Sequence, residues 1–169
     1  LWETPFAGVH DPLWARALVL DDGVRMAAIV AVDTVEFADT SALEKRIAAS
    51  TGVPADSVIL AATHNHNSPM MAPANAGATR KGGPGAPAWI AKTENDIIAA
   101  ISQAKQQLQP VRMGIGAGRA YVNINRDELT PQGWKLGNNP DGPSEKTVWV
   151  IKFETLSGEP VALLANYAV

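Results

Sequence analysis

Cysteine is absent from the 169 residues, which removes disulfides, thiolate nucleophiles and thiolate metal sites together and leaves His, Asp, Glu and Tyr as metal-binding side chains. Histidine is scarce, with three in the whole chain. No apolar run reaches the roughly 18 residues of a membrane-spanning helix. Residues Leu1 to Pro5 show neither the basic start nor the apolar core of a signal peptide, and there is no initiator methionine. Lys and Arg form no run, and the formal net charge of −3 with a pI near 5.6 provides no cationic face to track phosphates, so nucleic acid is excluded as a partner. What is present is 46% apolar and only 18% charged sequence, enough for one sizeable core, and the expectation is one globular domain or part of one.

Two apolar runs, 14–20 and 24–32, flank Asp21-Asp22-Gly23 and predict a β-hairpin. Ser41 is the predicted cap of a helix over 42–50, with Glu44 completing a capping box and Gly52 ending it. A strand over 58–63 follows, so the unit is strand, helix, strand. The stretch 69–87 holds four prolines and four glycines and predicts an irregular loop, either a pocket wall or lid or a plain disordered surface, with Arg80 and Lys81 solvated. Ile90, Ile97, Ile98, Ile101, Ala104 and Leu108 recur at helical spacing and predict an amphipathic helix over 88–108, stopped by Pro110. A glycine-bearing strand over 111–118, a turn-rich loop over 133–143 and a hairpin of 147–153 with 161–168 complete the chain. No repeat and no dividing linker is evident. The predicted class is α/β, with mixed β-sheet layers and flanking helices.

The strand over 58–63 delivers two of the three histidines, His64 and His66, into a loop. Imidazole is the usual nitrogen ligand for zinc and the usual proton carrier near neutral pH. In extended chain, residues two apart project to one side, so the pair is expected to address one ion or one substrate group. Thr63, Asn65, Asn67 and Ser68 are expected to orient the rings by hydrogen bonds. A polar strand edge bonded to backbone or water accounts for a bare His-x-His equally well. No His-Glu-x-x-His occurs, and Ser68 and Pro69 stand where a metallo-β-lactamase-like His-x-His-x-Asp-His needs Asp and His. Further on, Arg126 follows Asn123 and Asn125. Its planar fork suits a carboxylate or a developing oxyanion, while an ordinary ion pair with Asp127 or Glu128 explains it as simply.

Four segments in order resemble the neutral/alkaline non-lysosomal ceramidase family in its amino-terminal catalytic domain. They are 8–20 (from Gly8-Val9-His10-Asp11-Pro12), 62–69 (Ala62-Thr63-His64-Asn65-His66-Asn67-Ser68-Pro69), 122–126 (Val122-Asn123-Ile124-Asn125-Arg126) and 163–169 (Leu163-Leu164-Ala165-Asn166-Tyr167-Ala168-Val169). The resemblance implies that residues 1–169 are part of a larger catalytic domain, cut at both ends, whose family hydrolyses the amide of N-acylsphingosine with one zinc ion. It implies His64 as a zinc ligand, His66 and Arg126 as groups that position substrate and stabilise charge, and Asp33 as an acidic group beside them. The family usually reads Thr-His-Thr-His-Ser-Gly-Pro, whereas this chain has Asn65 and Asn67 and reaches its proline one residue earlier, which bears on loop shape and substrate choice. The remaining ligands, a histidine, a glutamate and a tyrosine, are expected beyond Val169 or from a second chain supplying the rest of the domain.

The expected chemistry is zinc-assisted hydrolysis of a ceramide-like amide. Two rivals stand beside it: a zinc amidohydrolase acting on a non-lipid N-acyl or peptide-like amide, and a non-catalytic binding module with structural histidines. The family resemblance favours a secreted or periplasmic setting, with peripheral membrane contact possible for a lipid substrate.

Overall fold

A computed structural model describes residues 8–69, 71 and 86–168. They divide into two compact units, Leu1–Leu108 and Gln109–Val169. In the first, β1 (Ala15–Asp21) and β2 (Met26–Val32) pair antiparallel, with Val19 opposite Ala28 and Ala17 opposite Val30. The hairpin is as predicted, but its loop takes four residues, because Asp21 pairs with Met26. Asp22 Oδ1 accepts the N–H groups of Val24 and Arg25, and Gly23 supplies the positive φ of 84°. Helix α1 (Ser41–Thr51) then carries the chain to β3 (Val58–Ala62), which runs parallel to β2. The predicted strand, helix, strand unit is therefore present, preceded at β3 by a short 3-10 turn, Ala55–Ser57.

Thr40, not Ser41, caps α1. The predicted box does not form, since Glu44 then lies one position too far along. Thr40 Oγ1 instead donates to Glu44 Oε1 at 2.6 Å, while Asp39 Oδ1 accepts both the N–H and the hydroxyl of Ser41. Gly52 closes the helix as predicted, left-handed at φ 77° with its N–H on Ala48 O.

Helix α2 (Ala86–Gln106) starts two residues before the predicted 88, with Pro87 in its first turn, where a missing N–H costs nothing. The predicted loop over 69–87, Arg80 and Lys81 lie almost wholly outside the described residues. Both helices cover one face of the sheet: Val19, Ala28, Val30 and Val32 pack with Leu43 and Ile47 of α1, Val53, and Ile97 and Ile101 of α2. The alternation in β2, where 28, 30 and 32 are buried, follows from the two-residue pleat. Arg46 of α1 ties to Glu94 and Asn95 of α2.

The second unit is a three-stranded antiparallel sheet in the order β4 (Val111–Arg119), β7 (Thr147–Thr155), β8 (Pro160–Asn166), plus a hairpin of β5 (Asn125–Thr130) and β6 (Gly133–Asn139). The strand over 111–118 and the terminal hairpin match expectation. Strand β6 corrects the turn-rich loop expected over 133–143. Leu129, Trp134 and Leu136 are all exposed, so the hairpin has no buried face to write an alternation into the sequence. The mixed sheets and two helices agree with the α/β class.

Candidate functional site

Asp33 lies just past the end of β2 and His64 just past the end of β3, so both sit at the carboxyl ends of neighbouring parallel strands. Side chains there converge beyond the sheet, which is where open α/β folds hold ligands. Asp33 Oδ2 accepts the N–H of Trp14 at 3.0 Å and lies 3.7 Å from an Arg16 guanidinium nitrogen, and Oδ1 accepts the Thr63 hydroxyl at 3.1 Å. The carboxylate thereby links the ends of all three strands, immediately before the histidines.

The histidines meet by a route the extended-chain expectation did not foresee. Strand β3 stops at Ala62; His64 is left-handed at φ 57° and His66 stands in a turn. Their ring centroids are nonetheless 4.7 Å apart, edge to face at 73°. Backbone reversal, not strand alternation, brings them together.

His64 Nδ1 lies 2.8 Å from the carbonyl oxygen of Val35. A carbonyl only accepts, so in the neutral ring Nδ1 carries the proton and Nε2 keeps its lone pair. This is the arrangement by which a second group fixes a metal-binding imidazole. His64 is exposed overall, so the ring combines one anchored edge with access from solvent.

The flanking polar side chains differ from expectation in what they hold. Thr63 bonds Asp33, Asn65 Oδ1 accepts the N–H of Asn67, and Ser68 Oγ donates to Asn65 O at 2.7 Å. They stitch the loop, whereas the His64 ring is held by a backbone carbonyl. The groups missed from sequence are that carbonyl, of Val35, and Thr34, fully buried, whose Oγ1 donates to Pro69 O. The type of residue 35 carries no signal, because its backbone makes the contact. Thr34 had one weak signal, its place after a strand end.

Arg126 lies in the second unit. It occupies a register shift of the β5–β6 hairpin, between the pairs Asn125 with Asn139 and Asp127 with Leu136, and its Nε donates to Gly137 O at 3.0 Å. Such irregularities re-aim a side chain. It lines a cleft of about 550 Å³ with Asn123, Asn125, Glu145 and Tyr167. The asparagines are engaged in folding: Asn123 Nδ2 reaches the carbonyls of Glu145 and Ala168, and Asn125 Nδ2 that of Pro143. Glu128, one ion-pair partner expected for Arg126, lies 3.5 Å from Lys135.

Among the described residues no group of three or more His, Cys, Asp or Glu stands close enough to hold a metal ion. His64 fits a metal by its tautomer, and the described residues do not complete a ligand set around it.

No family model matches this sequence, and no curated protein does. Solved structures do. A ceramidase complexed with C2 superposes with a TM-score of 0.66 at 25% identity, over 99% of this chain and 27% of that one. The neutral ceramidase from Pseudomonas aeruginosa superposes with a TM-score of 0.64 at 22% identity, over 99% of this chain and 28% of that one. The chain spans less than a third of the length of either.

Proposed function

We propose, for a chain that carries the ceramidase-family fold along nearly its whole length, that it forms part of a zinc-dependent amidohydrolase acting on a ceramide-like N-acyl substrate. One observation carries the proposal above all: two imidazoles in ring contact just past the carboxyl end of β3, one held by a carbonyl on Nδ1 with Nε2 left as the donor atom. His64 would hold the ion, with the other ligands supplied by the rest of a ceramidase-length domain. When bound, zinc polarises a carbonyl and lowers the pKa of water towards neutrality.

The chain's own residues have separate tasks. His66, beside His64, faces the bond to be broken. It accepts a proton as water adds to the carbonyl carbon and returns one to the nitrogen as the C–N bond breaks, so the products are a carboxylic acid and an amine. Arg126, assigned through the family resemblance, stabilises negative charge on the carbonyl oxygen. Asp33 holds Thr63 and Trp14 in place and acts through them. A secreted or periplasmic setting follows from the same resemblance, and among the described residues no helix is long and apolar enough to cross a membrane.

The test uses the complete protein. His64→Ala is expected to lose zinc. His66→Ala is expected to keep it while turnover falls about 10²- to 10⁴-fold, the usual worth of a proton-transfer group. Equal zinc loss in both variants would overturn the division of roles. Hydrolysis compared across acyl lengths tests the substrate class, because a long acyl chain needs an apolar cleft; indifference to length would favour a non-lipid amide. Metal-free intact protein with full activity would favour neither and would sink the zinc assignment.

A further inference from the structure

We propose that Thr34 is a positioning residue for the His64 imidazole, a role that rests on the zinc-site reading of that ring. Thr34 follows β2 and is completely buried, yet its hydroxyl and its carbonyl are both spent on the histidine loop. Its Oγ1 donates to the carbonyl of Pro69 at 3.0 Å, and its own carbonyl accepts the N–H of Asn65 at 3.1 Å. One residue thus grips the loop next to His64 and again five residues after it. Between the grips the loop is closed on itself, by Ser68 Oγ on Asn65 O and by the N–H of Asn67 on Asn65 Oδ1. Ser68, like Thr34, is fully buried.

His64 needs this hold because its φ of 57° is one that residues with a β-carbon rarely adopt. That turn swings the ring back to the carbonyl of Val35, the next residue after Thr34. Loop and ring are therefore templated by two consecutive residues: Thr34 fixes the backbone and Val35 fixes the tautomer. Loss of the Thr34 hydroxyl leaves the half-buried Pro69 carbonyl without its donor and releases the far end of the loop, from which His64 relaxes out of the left-handed region.

The test is made on metal-free protein at one pH, by ¹⁵N-resolved spectra of the His64 ring. Its Nδ1–H proton is observable while bonded to Val35. Thr34→Val keeps the shape and deletes the hydroxyl; it is expected to lose that signal or speed its exchange roughly tenfold, the size of one lost hydrogen bond. Thr34→Ser is expected to restore it. Ile101→Ala, which weakens the core under α2 and removes no hydrogen bond of the histidine loop, is expected to leave it unchanged while lowering Tm. A His64 signal in Thr34→Val identical to the parent, or an equal change in Ile101→Ala, would overturn the proposal. Should Thr34→Val not fold, exchange in the parent protein decides: the His64 Nδ1–H and the Asn65 amide are expected to respond together to denaturant, and independent exchange refutes the coupling. Zinc titration of the parent protein is scored separately, so failure of the metal assignment is distinguishable from failure of the positioning role.

Discussion

One backbone angle decides where the His64 imidazole goes. In a continuing strand, His64 and His66 would share a face with both rings projecting from the sheet. The left-handed φ at His64 and the turn at His66 instead fold the segment so that the rings touch. Gly52 shows the same φ region used cheaply, since glycine has no β-carbon to strain. Gly52→Ala is expected to cost about 1 kcal/mol, measured by denaturant unfolding, because a β-carbon there keeps an ordinary 3.4 Å contact with Lys105 Nζ and only the backbone suffers. A loss near zero would mean that the C-cap relaxes out of the left-handed region. As for legibility, His64 and His66 stood out from residue type and spacing, because a scarce reactive side chain advertises itself, whereas Asp33 and Arg126 were singled out through the family resemblance, and the roles of all four belong to the proposal. Thr34 and the Val35 carbonyl did not stand out, because they act through burial and backbone.

At the scale of elements, α2 joins the first unit through Ile97 and Ile101, both fully buried. Ile101→Ala is expected to destabilise by about 2–5 kcal/mol through lost burial and the cavity left behind; a loss under 1 kcal/mol would show that the helix closes the gap. Turns and caps respond to pH. Asp22 is held below the usual carboxylate range by the N–H groups of Arg25 and Val24, Asp39 by the hydroxyl and N–H of Ser41, and Asp56 by the bonded Arg25 guanidinium. Their folded values lie below the unfolded ones, so what they contribute is present above about pH 4 and is lost as pH falls through the lowered values. Thermal scans from pH 6 to pH 2 are expected to show Tm falling, and the fall is expected to be shallower in Asp56→Asn. A slope unchanged by that substitution would remove Asp56 from the account. The Asp-Gly turn and the 3.6-residue spacing of α2 made these elements readable. The β5–β6 hairpin was not, since exposed strands owe their pairing to the tight turn over Pro131-Gln132 and not to an apolar face.

Across the whole molecule the buried apolar residues are unevenly shared. Among the described residues, nearly all belong to the first unit, and Phe153 stands for the second. Met113, Ile115, Trp149 and Leu163 of the β4–β7–β8 sheet are exposed. Hydrogen exchange is therefore expected to reveal stronger protection in β2, α1 and α2 than in β4, β7 and β8. Equal protection throughout would mean that the sheet hydrogen bonds need no apolar cover. Such an outcome would also end the view that burial sets the stability order of the two units.

The sequence by itself determined the element order of the first unit, the α/β class and the reactive residue types, because periodicity, turn chemistry and scarcity are local properties of a chain. Tertiary structure alone decided that the 33–35 segment and the histidine loop meet, that a carbonyl sets the His64 tautomer, and that Thr40 and not Ser41 caps the first helix. Those outcomes depend on hydrogen bonds between residues about 30 positions apart, or on which of several adjacent polar groups wins a single backbone donor, and neither is written in residue spacing.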